Sequence, residues 1–136
     1  MGKIIMIGAM KGSVGKSVTA FNLAYSLQKK GKRVLAVDLD PQANLTTCFG
    51  AEDVDVAIGD LLLAQIEDDE LPDREEYIWE RNGVDFIPST VGLSAVEAKL
   101  RLEMGTKRML ASILEHLRDD YDIILIDTSP SLYLCD

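Results

Sequence analysis

Cysteine and histidine are nearly missing from this 136-residue chain: Cys48 and Cys135 stand far apart, and His116 is the single histidine. Two distant thiols without a histidine cluster supply neither the ligand spacing of a zinc site nor a disulfide framework. Both read as small core residues. Long apolar runs are absent as well. The stretch "IIMIGAM", Ile4 to Met10, is too short to cross a bilayer and leads to no small-residue cleavage site, so a cytoplasmic protein is expected. Without a secretory signal, the formal glycosylation acceptor Asn44-Leu45-Thr46 carries no weight. No internal repeat and no low-complexity tract interrupts the chain. Beyond Arg33 there is no basic patch of the kind that binds duplex phosphates, so this segment gives no support for DNA binding.

What is present is a chain of one domain's length, 1–136, with 47% hydrophobic residues, enough for a core of ordinary size. The net charge of −9 is unevenly spread: residues 1–50 hold seven Lys and Arg against two carboxylates, and residues 51–82 hold 12 of the 23 carboxylates. The run "EDDELPDREE" makes 67–82 an expected acidic surface loop. "KIIMIGA" reads as a strand buried on both faces, and Ser17 to Lys30 as a helix with Val18, Phe21, Leu23, Ala24 and Leu27 on its period and Gly31 as its stop. "RVLAVDLD" reads as a second strand. This is a right-handed crossover unit of an α/β sheet. "IGDLLLAQI" follows as a short helix, then "VDFIP" as a third strand. Leu93, Val96, Leu100 and Met104 line one helix, Gly105 interrupts, and Met109, Ile113, Leu114 and Leu117 line another. "DYDIILIDTSP" is a fourth strand, apolar until Asp127.

The chemistry concentrates in "AMKGSVGKSVTAFNLA", Ala9 to Ala24. A helix N-terminus preceded by glycines offers backbone N–H groups and a positive dipole end to an anion, and a lysine adds a point charge. Gly15-Lys16-Ser17 supplies these elements. The general pattern G-x-x-x-x-G-K-[ST] requires glycine where Met10 stands. Asp38 and Asp40, two apart on one strand, face the same side.

Lys11-Gly12-Ser13-Val14-Gly15-Lys16-Ser17 resembles the deviant phosphate-binding loop, K-G-G-x-G-K-[ST], of the ParA and MinD family of ATPases. "GKRVLAVDLDPQANLT" resembles that family's D-x-D-P-Q-x-N segment, and "YDIILIDTSPSL" its Walker B strand. The D-P-Q segment favours the ParA type. The resemblance implies a P-loop NTPase, a mostly parallel α/β sheet flanked by helices, of which this chain is the N-terminal part, apparently truncated after Walker B. It implies an ATPase that uses Mg2+ and ATP-driven dimerisation to position a chromosome, plasmid or other cargo, with a ParB-like activator. Carried onto this sequence, Gly12, Ser13, Val14, Gly15, Lys16, Ser17 and Val18 bind the nucleotide, and Ser17, Asp38 and Asp127 serve the metal. Asp40 orients the attacking water. Lys11 reaches the partner subunit's nucleotide, a cation supplied in trans. Pro41 and Gln42 match a nucleotide-responsive switch.

Two departures qualify this reading. Ser13 replaces the second glycine of the family's pair; a left-handed conformation there costs about 1–2 kcal/mol, whereas at negative φ its hydroxyl is free to donate to a phosphate. The family continues for further strands, one of which covers the outer edge of the first strand, so an open edge and an edge-paired oligomer are expected. The alternative function is a nucleotide- or partner-binding module without turnover. An electron-transfer iron protein of the nitrogenase type shares the loop but needs cluster-ligating cysteines that the chain does not match. His116 reads as a surface residue, and Tyr77 and Trp79 as packing residues.

Overall fold

The computed structural model describes residues 2–7, 13–102 and 106–128. Strand β1 (Lys3–Ile7) is followed by helix α1 (Ser13–Lys29), β2 (Val34–Leu39), the single turn α2 (Asn44–Cys48) and α3 (Ile58–Ile66). Then come α4 (Arg74–Tyr77), β3 (Trp79–Arg81), β4 (Val84–Ile87), α5 (Leu93–Leu102), α6 (Thr106–Glu115) and β5 (Ile123–Thr128). The strands form one sheet in the order β1-β5-β2-β4-β3. β1, β5, β2 and β4 run parallel, and β3 pairs antiparallel with β4.

Strand periodicity sorts the side chains into two layers. On one face Leu35, Val37, Leu39, Ile124 and Ile126 pack against α3, α5 and α6 through Leu61, Leu62, Leu93, Leu110, Ile113 and Leu114. On the other, Val34, Ala36 and Leu125 meet Ala20 and Ala24 of α1. Alternation therefore carries Asp38, Asp40 and Asp127 to the α1 side of the sheet. Two alanines let α1 lie close, and the helix buries them rather than the expected Val18 and Leu23, which are exposed at 42% and 36%. The period holds, but its face is rotated toward Ser17, Ala20 and Ala24. The helix ends in a Schellman motif: Lys32 N–H donates to Leu27 O and Gly31 N–H to Gln28 O, with Gly31 at φ +86°.

The sequence reading is extended in three places. α1 begins at Ser13, four residues earlier than expected, because the phosphate-loop residues form its first turn. Within 67–82, read as acidic loop, residues 74–77 are helical and 79–81 form β3. Asn82 at φ 51° and Gly83 at φ 91° make the turn joining β3 to β4, both residues in the conformation a type I′ hairpin demands. Trp79 packs half-buried beside Phe86, as expected of a packing residue, under the guanidinium of Arg81. Tyr77 is buried and His116 exposed. Leu93, Val96, Met109, Ile113, Leu114 and Leu117 are core residues as read. Met104, Gly105 and Cys135 lie outside the described residues. Among the described residues no helix is long and apolar enough to cross a membrane.

Candidate nucleotide and metal site

The carboxyl ends of β2 and β5 and the first turns of α1 converge on one point. β2 and β5 are paired in register so that Asp38 lies directly beside Asp127, and both strands run parallel with their last residues toward the N-terminus of α1. Ligands of open α/β sheets bind outside the carboxyl ends of strands. Ser17 is fully buried and its hydroxyl donates to Asp127 Oδ2 at 2.7 Å. Lys16 Nζ donates to Thr128 O at 2.6 Å and lies 2.6 Å from Asp127 Oδ1 and 3.9 Å from Asp40 Oδ2. Helix polarity supplies the reason for this gathering of acids: positive partial charge at the start of α1 favours anionic neighbours.

Asp38 is held from the other side. The chain leaves β2 through a tight turn in which Gln42 N–H donates to Asp40 Oδ1 and Ala43 N–H to Asp40 O, with Ala43 left-handed at φ 56°. That turn folds α2 back under the strand end. Thr46 then donates twice to Asp38 Oδ2, from its backbone N–H at 2.8 Å and its hydroxyl at 2.6 Å. Burial pushes the Asp38 carboxyl up to about 7, the Thr46 bonds pull it back, and the neighbouring Asp127 and Asp40 charges add to the rise.

Two buried oxygens lack a hydrogen bond among the described residues: Asp38 Oδ1 and Asp127 Oδ1. The latter has the Lys16 charge beside it, at an angle outside hydrogen-bond geometry. The Asp127 carboxylate with the Ser17 hydroxyl bonded to it, and the Asp38 carboxylate on the adjacent strand, form an all-oxygen donor set. Among the described residues no group of three or more His, Cys, Asp or Glu is placed to enclose a metal ion. Few protein oxygens with space for water is what Mg2+ prefers, since it keeps several waters. The residues present fit it.

The structure thus brings Lys16, Ser17, Asp38, Asp40 and Asp127 together. Gly15 lies in the first turn of α1, where an added Cβ would meet no atom within 4 Å. Ser13 opens the same helix, and Val18 is exposed on it. Lys11 and Gly12 lie outside the described residues. Thr46 and Ser89 were not anticipated. Ser89 N–H donates to Thr46 Oγ1 and Ser89 Oγ to Asp40 O, a link across 43 residues of chain that no local motif announces.

Residues 2–136 match a family model described as an AAA domain. The sporulation initiation inhibitor protein Soj of Bacillus subtilis is 40% identical over 136 residues, covering 98% of this chain and 52% of Soj. The cobyrinic acid a,c-diamide synthase from Mycobacterium smegmatis, solved with bound ATP analogue and magnesium, superposes with a TM-score of 0.85 at 29% identity. That match covers 99% of this chain and 55% of the synthase chain. A plasmid partition protein from Borrelia burgdorferi superposes with a TM-score of 0.73 at 31% identity, covering 100% of this chain and 63% of its own. The chain spans about half the length of the curated relatives it matches.

Proposed function

The chain belongs to the AAA domain family that includes the ParA-type partition ATPases, and on that footing we propose that it binds Mg-ATP at the carboxyl end of its sheet and serves an ATPase that partitions or positions cargo. The observation that carries this reading is the convergence of Lys16 and Ser17 with Asp127, Asp38 and Asp40 at the N-terminus of α1.

The described residues have roles that their surroundings support. The amides of Ser13 to Val18, in the first turns of a 17-residue helix, cradle the phosphates of the substrate, together with that of Gly12 in this reading. Lys16 exchanges its carboxylate contacts for the β- and γ-phosphates. Ser17 and, through water, Asp127 and Asp38 hold the metal, which when bound polarises the phosphate oxygens as a Lewis acid. Asp40, 3% exposed with Oδ1 pinned by Gln42 N–H, orients the attacking water. A carboxylate fixed in place meets the positioning demand of phosphoryl transfer, where little covalent work falls to the protein.

Dimerisation belongs to the same proposal. Lys11 reaches the nucleotide of a second subunit, so ATP joins the two subunits and hydrolysis releases them; a ParB-like partner accelerates that release. The relatives named as partition proteins support the cargo.

The first test is hydrolysis of Mg-ATP by the wild-type chain and Lys16→Ala. Turnover that disappears in the variant is expected, and equal rates in both would refute the site. The second is light scattering with and without ATP. Wild type should double its mass with ATP and Lys11→Ala should not; a variant that dimerises normally removes Lys11 from the interface. Tight ATP binding without turnover by wild type would instead favour a binding module.

A further inference from the structure

Asp38 is bonded on one oxygen only, and that asymmetry has a cause outside its own strand. Both Thr46 donors land on Oδ2, at 2.8 Å and 2.6 Å, while Oδ1 is buried and has no hydrogen bond among the described residues. A threonine hydroxyl has a single hydrogen and lone pairs to accept with. Here Ser89 N–H, at 2.8 Å, donates to Thr46 Oγ1. With an incoming donor on one lone pair, the hydroxyl hydrogen is directed to Asp38. Ser89 is itself tied, its Oγ donating to Asp40 O at 2.7 Å. Asp38, Asp40, Thr46 and Ser89 are all at most 4% exposed, so solvent does not compete for these bonds.

We propose that Thr46, oriented by Ser89, is a positioning residue that fixes Asp38 with Oδ2 satisfied and Oδ1 presented to the metal's water shell. The inference rests on the Mg-ATP reading above and adds to it the device that orders the second carboxylate. Thr46 touches neither substrate nor metal; it acts through Asp38. Outer partners of metal ligands typically change metal affinity 10- to 100-fold when removed; Thr46 acts one bond further out, through Asp38, so a loss at the lower end of that range is expected. Ser89, at the junction of β4 and α5, gives the site a mechanical tie to the far half of the sheet, since a shift of β4 alters the donor that orients Thr46.

The test is Mn2+ binding, read by the loss of the free-ion electron paramagnetic resonance signal, in the presence of a non-hydrolysable ATP analogue. Metal-free analogue binding and thermal melting are measured on the same samples. Thr46→Val, which keeps the shape and deletes the hydroxyl, should weaken Mn2+ up to about tenfold and leave metal-free analogue affinity unchanged. Thr46→Ser should restore Mn2+ binding. Ser89→Ala, which keeps the N–H donor to Thr46 but removes the Oγ bond to Asp40 O, should weaken Mn2+ binding less than Thr46→Val does; an equal or larger loss would overturn the assignment of the orienting bond to the Ser89 N–H. If Thr46→Val does not fold, Thr46→Cys, with a weak thiol donor, should show the same selective loss in smaller degree. Unchanged Mn2+ affinity in the folded Thr46 variant overturns the inference while leaving the Mg-ATP reading intact. Parallel loss of metal-free binding and melting temperature, or failure of Thr46→Ser to rescue, reduces Thr46 to a packing role and overturns it too. A wild-type chain that binds the analogue but no Mn2+ refutes the underlying reading, and with it this one.

Discussion

Asp38 illustrates how a single residue can be set against the stability of its own fold. Its carboxyl ordinarily titrates at 3.8 and is pushed to about 7 by burial. Between those values the folded protein retains a proton that the unfolded chain has lost. Stability therefore falls as pH rises through that window, because ionising Asp38 in the fold costs more than ionising it in the unfolded chain. Below the unfolded value both states are protonated and the contribution is fully favourable; above about 7 it is gone. Asp38→Asn removes the titration and keeps an oxygen to accept from Thr46. In metal-free buffer the variant should melt higher than wild type, and the gap should widen from about pH 5 to about pH 8. Thermal denaturation followed by circular dichroism checks this; a gap that narrows with rising pH would show that Asp38 is stabilised as the anion. The same variant should lose the turnover proposed above, since a site that is to hold a cation keeps its charges close at the expense of the unliganded fold.

Elements depend on residues of a different kind. The β3–β4 hairpin turns on Asn82 and Gly83, and α1 stops at Gly31, with Gly83 at φ 91° and Gly31 at φ 86°. An L side chain in that region costs about 1–2 kcal/mol. At Gly83 an added Cβ would also come within 2.6 Å of Gln28 Nε2, but that is the end of a flexible side chain, which can move aside. Gly31→Ala and Gly83→Ala should therefore each lose about 1–2 kcal/mol in urea unfolding, without either being catastrophic. A loss several times larger at Gly83 would mean that Gln28 is fixed in place. These elements also show what was legible beforehand. The long apolar strands and periodic helices announced themselves, because burial on both faces leaves continuous hydrophobic runs and one-sided burial leaves a 3.6 period. Gly31 marked its helix end. β3 did not: three residues with a charged pair have no pattern of their own, and only the Asn82-Gly83 pair behind them carries a hairpin signal. α2 and α4 are single turns, too short for periodicity. At the site, Lys16, Ser17 and the three aspartates were readable because loop and strand-end chemistry is local in sequence. Thr46 and Ser89 were not, since their contact follows from β2 and β4 pairing.

For the whole molecule, the two edges of the described sheet differ in how they are protected. β3 is three residues long and presents Glu80 and Arg81, a short and charged edge that discourages pairing. β1 is five residues long, apolar after Lys3, and among the described residues hydrogen-bonded on one side only, to β5. Beside it Ile4, Met6, Leu110, Leu114 and Ile126 line an apolar cavity of about 180 Å3. Unpaired backbone donors and acceptors next to apolar side chains are a template for another strand. The 136-residue polypeptide should therefore self-associate through β1, with a mass in sedimentation velocity that rises with protein concentration. Ile4→Lys, an inward-pointing charge on that edge, should suppress it. This association is separable from the ATP-driven dimer proposed above by its expected requirements: it should need no nucleotide and persist in Lys11→Ala, whereas the proposed ATP-driven form should need both ATP and Lys11. A single monomeric species at every concentration would show that β1 is protected in solution, and association that vanishes in Lys11→Ala would place the contact at the phosphate site instead of at the sheet edge.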